Sequence, residues 1–202
     1  MTYPTIISFY TNDWEYPSHA QRLKQECNAL GLSSIITELP SVGYLQNCQK
    51  KPFFIRDTIH QLKSPVLWID VDASIYRLPD FFYNLDADVS LKKKLRPHIG
   101  REWHVGTMWF NYTSNTLSLL DLWCEKVLTY NSHIQLSGDH SDESAINELY
   151  FNNMFQAKIV DMPLQYFYVD ELTGWSSDAV IFHRISKGES KLEQSKLIGI
   201  PL

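Results

Sequence analysis

Asp70 and Asp72 stand one residue apart at the end of the apolar run Pro65-Val66-Leu67-Trp68-Ile69. A short apolar run opened by proline reads as a buried strand of a parallel sheet. The two carboxylates then fall at its carboxyl end, where the loops of an open α/β sheet form the ligand crevice. Carboxylates so placed can turn toward one point and share a hard divalent cation, and a cation with open positions is what a diphosphate needs. Asp-x-Asp also arises by chance, and acids after a strand commonly cap helices or make Asx turns. The motif therefore counts only in its setting.

Two further stretches carry chemistry. In Asp139-His140-Ser141-Asp142-Glu143-Ser144-Ala145-Ile146-Asn147, Ser141 is a good N-cap, and Asp142 and Glu143 fall in the first turn of a helix with Ala145, Ile146, Leu149 and Tyr150 on its apolar face. The helix dipole favours acids there whatever their role. His183 follows the apolar run Val180-Ile181-Phe182 and leads into a polar tail with Gly188 and Lys191. A histidine after a terminal strand is usually structural or exposed, yet imidazole is also the commonest metal ligand. Lys50 and Lys51 precede a helix opened by Pro52, a place suited to phosphate, although such lysines are more often solvated charge.

The elements that must position these groups follow from the pattern. Ile6 to Tyr10 reads as a strand, and Ala20, Leu23, Cys27 and Leu30 recur at helical spacing before Gly31. Ser33 to Leu39 reads as a second strand, giving a β-α-β opening. A linker with Gly43 and Tyr44 leads to a helix with Phe53, Phe54, Ile55, Ile59 and Leu62 on its buried face, and that helix delivers the chain to the Asp70 strand. Tyr76 to Phe82 reads as a turn and short helix, and Val89 to Leu95 and Gly106 to Asn111 as strands. Leu117, Leu120, Cys124 and Val127 mark another helix, and Ala157 to Met162 another strand. Lys92, Lys93 and Lys94 could meet an anionic acceptor or lipid headgroups in a peripheral contact, but an edge strand guarded by lysines explains them better.

Composition bounds the answer. The chain has 202 residues, 44% apolar and 20% charged, which fits one globular domain over 1–202. A net charge of −5 argues against a nucleic-acid partner. The odd set Cys27, Cys48 and Cys124 has no metal spacing and fits a reducing cytoplasm. No secretion leader and no apolar run long enough for a transmembrane segment is read, so the expected location is cytoplasmic.

Taken in order, these landmarks resemble the GT-A glycosyltransferases that use nucleotide sugars. Trp68-Ile69-Asp70-Val71-Asp72 resembles their Asp-x-Asp motif, which holds manganese or magnesium against the donor diphosphate. Asp142-Glu143-Ser144-Ala145-Ile146-Asn147 is similar to the Asp-[Glu/Gln]-x-x-[Leu/Ile]-Asn segment of retaining members, where the position of Glu143 lies beneath the anomeric carbon. His183, Gly188 and Lys191 resemble the His…Gly-x-x-Lys element of bacterial galactosyltransferases, although the gap from His183 to Gly188 is longer here. The resemblance implies an α/β fold of the nucleotide-diphospho-sugar transferase type, with a largely parallel central sheet flanked by helices. It implies Mn2+ or Mg2+ held by Asp70, Asp72 and His183. Thr11, Asn12, Asp70 and Lys191 would stand around the donor, joined by Lys51 on its position before a helix alone, and Glu143 and Asp142 would serve catalysis.

The expected activity is transfer of a sugar, with a UDP-sugar as expected donor, to a hydroxyl on a glycan or glycolipid acceptor such as a surface-glycan precursor. Glu143 could act as nucleophile or ion-pair partner with retention, or Asp142 or Glu143 as base with inversion; retention is favoured slightly. Tyr112, Trp103, His104 and Trp175 are candidate acceptor-side aromatics, each with packing as the simpler role. The rival readings are a haloacid-dehalogenase-type phosphatase with Asp70 as nucleophile and a non-catalytic nucleotide-sugar binder. Against the first, two strands precede Asp70 and Ser74 stands where that family has Thr or Val. Against the second, all four of Asp70, Asp72, Glu143 and His183 are present.

Overall fold

The strand that ends at the aspartates, β3 (Val66–Ile69), is buried along its whole length, and the sheet extends on both sides of it. The computed structural model describes residues 3–98, 101–131, 141–169, 173 and 176–183. Besides β3, the strands are β1 (Thr5–Thr11), β2 (Ser34–Leu39), β4 (Ser74–Ile75), β5 (Val89–His98), β6 (Arg101–Phe110), β7 (Ile159–Asp161), β8 (Tyr168–Val169) and β9 (Ile181–His183). The helices are α1 (Tyr16–Ala29), α2 (Tyr44–Gln49), α3 (Lys51–Leu62), α4 (Ser114–Asn131) and α5 (Asp142–Phe151), with short 3-10 turns at Asp80–Phe82 and Leu164–Tyr166.

Six strands form the central sheet in the order β2-β1-β3-β6-β5-β7. β2, β1 and β3 run parallel, as the β-α-β opening requires, and β7 joins β5 in parallel. β6 lies antiparallel to both β3 and β5. The sheet is therefore a mixed α/β sheet flanked by helices, with three parallel and two antiparallel pairings.

Side chains alternate across the strands, and the core divides accordingly. Val66 and Trp68 join Ile7, Ile55, Ile59, Leu120, Trp123, Ala145 and Ile146 on the face covered by α3, α4 and α5. Leu67 and Ile69 join Ile6, Ala20, Leu23 and Cys27 on the face covered by α1. Both faces of β3 are thus closed to water, which is why its sequence shows no polar residue before Asp70. Gly31, at φ +68°, ends the α1 connection in the left-handed region expected of it.

A second sheet of three short strands, in the order β4-β9-β8, sits beyond the aspartates. Two-residue strands carry too little pattern to be read in advance, and β4 and β8 were not expected. Nor was α2, whose sequence Tyr44–Gln49 is short and largely polar. No helix among the described residues is long and apolar enough to cross a membrane.

The lysine run departs from expectation. β5 is not an edge strand, because β6 flanks it on one side and β7 begins on the other. Lys92 reaches Asp161 at 2.7 Å, Lys93 reaches Glu102 at 2.6 Å and Lys94 reaches Glu143 at 2.5 Å. Each lysine is engaged by a carboxylate within the fold rather than spread as a basic surface.

Candidate metal and donor site

At the end of β3 the chain turns sharply, with the Ala73 N–H donating to the Asp70 carbonyl at 2.9 Å. The Asp70 N–H donates to the Gly106 carbonyl at 2.8 Å, so β6 still holds the strand at this point. Helix α1 pins the turn from outside. Arg22 Nη2 donates to the carbonyls of Asp72 and Ala73 at 3.0 and 3.1 Å, and Glu26 Oε2 accepts the Ile75 N–H at 2.9 Å.

The small sheet brings His183 to the same place. β4 follows the turn directly and pairs antiparallel with β9, Ser74 opposite Phe182 and Ile75 opposite Ile181. This register sets the next residue of β9, His183, beside the turn itself. One ligand atom from each of Asp70, Asp72 and His183 lies within 4.8 Å of the others. His183 is the last residue of its strand and is buried, with its Nε2 at 2.7 Å from Thr107 Oγ1 and its ring 4.4 Å from that of Phe167. Burial depresses its pKa to about 4, so the ring is neutral at physiological pH. Two carboxylates and a neutral imidazole, one ring nitrogen of which is held by a hydroxyl, make a donor set suited to a divalent ion.

Lys51 lies elsewhere than in solvent. Its ammonium is buried, 3.0 Å from Asp70 Oδ1 and 2.9 Å from Asp142 Oδ2, and donates to the Val105 carbonyl at 3.2 Å. Burial alone would lower its pKa, but Asp142 and Asp70 outweigh burial and hold it above its ordinary value. Lys51 also lines a cleft beside the turn. Asp142 is correspondingly 4% exposed, a buried counter-ion of Lys51.

Ser141 caps α5 as expected, its Oγ accepting the Ser144 N–H at 3.1 Å. Glu143, with its side chain 24% exposed, pairs with Lys94 and lies 3.8 Å from His104 Nδ1. The last residue of the motif, Asn147, is fully buried. Its Oδ1 accepts the N–H groups of Glu102 and Trp103, and its Nδ2 donates to the Trp103 and Glu143 carbonyls. Asn147 thus fastens α5 to β6.

A cleft of about 210 Å³ opens beside the turn. Phe9, Tyr10, Thr11 and Asp13 line it from the end of β1, Tyr16 from α1, and Tyr44, Asn47, Cys48 and Lys51 from α2 and α3. Trp68, Asp70, Val71 and Asp72 form its floor. Thr11 is buried there and bonded to Asp13, whereas Asn12 is exposed and outside the lining. Trp103 is buried against Tyr150, and His104 stacks on Phe167 at 4.5 Å. Tyr112 lies beyond Phe110, which pairs with Val66 at the opposite end of β3, and so stands away from the site. Trp175, Gly188 and Lys191 lie outside the described residues.

Sequence reasoning missed Thr107, Arg22, Asn147 as a clamp, and the aromatic wall that Phe9, Tyr10, Tyr16 and Tyr44 make together. Only Thr107 left a signal, in the glycine-entered strand Gly106-Thr107.

No family model matches the sequence, and no curated protein matches it. The fold is that of known glycosyltransferases. A glycosyltransferase involved in the glycosylation of the major capsid of PBCV-1 superposes with a TM-score of 0.68 over 97% of this chain and 99% of its own, at 10% identity. The glycosyltransferase GlyE of Streptococcus pneumoniae TIGR4 superposes with a TM-score of 0.59 at 12% identity, over 93% of this chain and 55% of that one. This chain therefore spans little more than half of GlyE.

Proposed function

We propose that this chain is a metal-dependent glycosyltransferase of the Asp-x-Asp kind, moving a sugar from a nucleotide donor to a hydroxyl acceptor. The observation that carries the reading is the convergence of Asp70, Asp72 and His183, from two separate sheets, next to an aromatic-walled cleft. A UDP-sugar is the proposed donor, and a glycan or glycolipid such as a surface-glycan precursor the proposed acceptor.

Asp70, Asp72 and His183 would hold Mn2+ or Mg2+, which as a Lewis acid supplies compensation for the charge that develops on a leaving diphosphate. The remaining work falls to the chain's own side chains. Phe9, Tyr10, Tyr16 and Tyr44 offer ring faces for a base and ribose. The buried Lys51 ammonium adds positive charge on the cleft wall, paired with Asp70 and Asp142.

Glu143 is the carboxylate placed for the sugar side. It is more accessible than Asp142 and pairs with Lys94. With retention it would stabilise positive charge on the ring from below, as nucleophile or ion-pair partner; with inversion it would take the proton of the acceptor hydroxyl. We favour retention. Asp142, locked to Lys51, is assigned to positioning that lysine.

Release of UDP from a panel of UDP-sugars, assayed with and without Mn2+ and with and without simple sugar acceptors, tests the proposal. Turnover that needs the metal and disappears in Asp72→Ala supports it. Hydrolysis of phosphomonoesters with no action on nucleotide sugars would instead place the chain with the phosphatases.

A further inference from the structure

We infer that Trp68 is a positioning residue for the ion, acting through a hydrogen bond that fixes which oxygen of Asp70 is presented to it. The inference rests on the reading of Asp70 as a metal ligand given above. Residues two apart on a strand project from the same face, so the indole of Trp68 reaches forward along β3 to the carboxylate. Its Nε1–H donates to Asp70 Oδ1 at 2.8 Å. The Lys51 ammonium meets the same oxygen at 3.0 Å. Among the described residues, none bonds to the other oxygen, Oδ2.

The carboxylate torsion of an aspartate is broad and two-fold when nothing restrains it. Here two donors on Oδ1 hold the carboxylate by one oxygen and leave the lone pairs of Oδ2 for a cation. Trp68 is itself held in place. Its ring is 2% exposed and packs against Phe9 at 5.4 Å and Phe54 at 6.0 Å, with Lys51 Nζ 5.3 Å from its centroid. An indole N–H carries no charge and cannot be titrated away, so it orients the ligand without competing with the ion for it. Partners of this kind, one shell out from the metal, commonly govern affinity by an order of magnitude or more.

Mn2+ binding followed by the loss of the free-ion electron paramagnetic resonance signal, with no nucleotide present, tests the assignment. Trp68→Phe keeps an aromatic ring and removes only the donor; its affinity for Mn2+ should fall roughly tenfold. Phe54→Leu disturbs the packing of the same indole but leaves its N–H, and its affinity should stay at the wild-type level. A Trp68→Phe chain that binds Mn2+ as the wild type does overturns the assignment, as does an equal loss in Phe54→Leu. If Trp68→Phe does not fold, the wild-type chain labelled with 15N-indole answers instead: Mg2+ should move one indole N–H resonance, and a spectrum in which none moves overturns the assignment. Failure of the wild-type chain to bind either ion would sink the metal reading itself, a result distinct from these.

Discussion

The ring of His183 occupies the room that Gly106 leaves by having no side chain. A Cβ at position 106 would stand 2.9 Å from His183 Cε1 and 3.1 Å from Nδ1, and 3.0 Å from Cε2 of Phe167. All three are atoms of buried rings that cannot swing aside cheaply. Gly106→Ala should therefore displace the imidazole, costing about 1–3 kcal/mol of stability by overpacking and weakening Mn2+ binding. Denaturant midpoints and ion titration on the same variant check both; a variant with native affinity would show that His183 does not need this position.

Lys51 is the second point of strain if disturbed. Its charge is compensated by Asp142, which is itself 4% exposed, so removing the ammonium leaves a carboxylate in the interior without a counter-ion. Lys51→Met should cost about 3–5 kcal/mol in urea or guanidinium melts. The double variant Lys51→Met/Asp142→Leu should recover most of that loss, because it removes the stranded charge as well.

His104 makes stability depend on pH. Burial, then Lys94, His183 and Lys92, depress its pKa to about 3, below the ~6.5 of an unfolded histidine. The unfolded chain therefore binds more protons between these values, and stability rises with pH through that window. The contribution of the neutral ring is complete above about pH 6.5 and is lost as pH falls toward 3. Denaturant midpoints measured across this range should fall less steeply in His104→Gln than in the wild type. Parallel slopes would contradict the assignment.

Glu143 should separate catalysis from folding. Glu143→Gln keeps the shape and removes the charge that the proposed chemistry needs, so turnover of a UDP-sugar should drop about 100-fold or more. Its ion pair with Lys94 is partly exposed and worth roughly 1 kcal/mol at most, so thermal unfolding should move only slightly. Mn2+ affinity should be unchanged. Undiminished turnover would remove Glu143 from the reaction.

Much of this architecture was legible in the sequence because it is local. An unbroken apolar run stopping at Asp70 announced both the buried strand and the acids at its end, and Ser141 before Asp142 announced the start of α5. The final strand likewise pointed to His183, although nothing in the sequence foretold that β4, only two residues long, would pair with β9 and bring the imidazole to the aspartates. The ion pairs of the lysines were not legible because their partners are remote in the chain: Lys51 meets Asp142, and Lys92 meets Asp161. A charge seen without its counter-ion looks solvated. Trp68 read only as core, and its N–H bond to Asp70 depends on a side-chain direction that periodicity does not specify.

The most direct measurement is the thermal midpoint of the wild-type chain with UDP alone, Mn2+ alone and both together, since a ligand bound only by the folded state raises it. The account predicts that UDP stabilises the fold when Mn2+ is present and hardly at all without it, and that Asp72→Ala loses the joint effect. An equal UDP shift with and without the metal, or no shift under either condition, would contradict it.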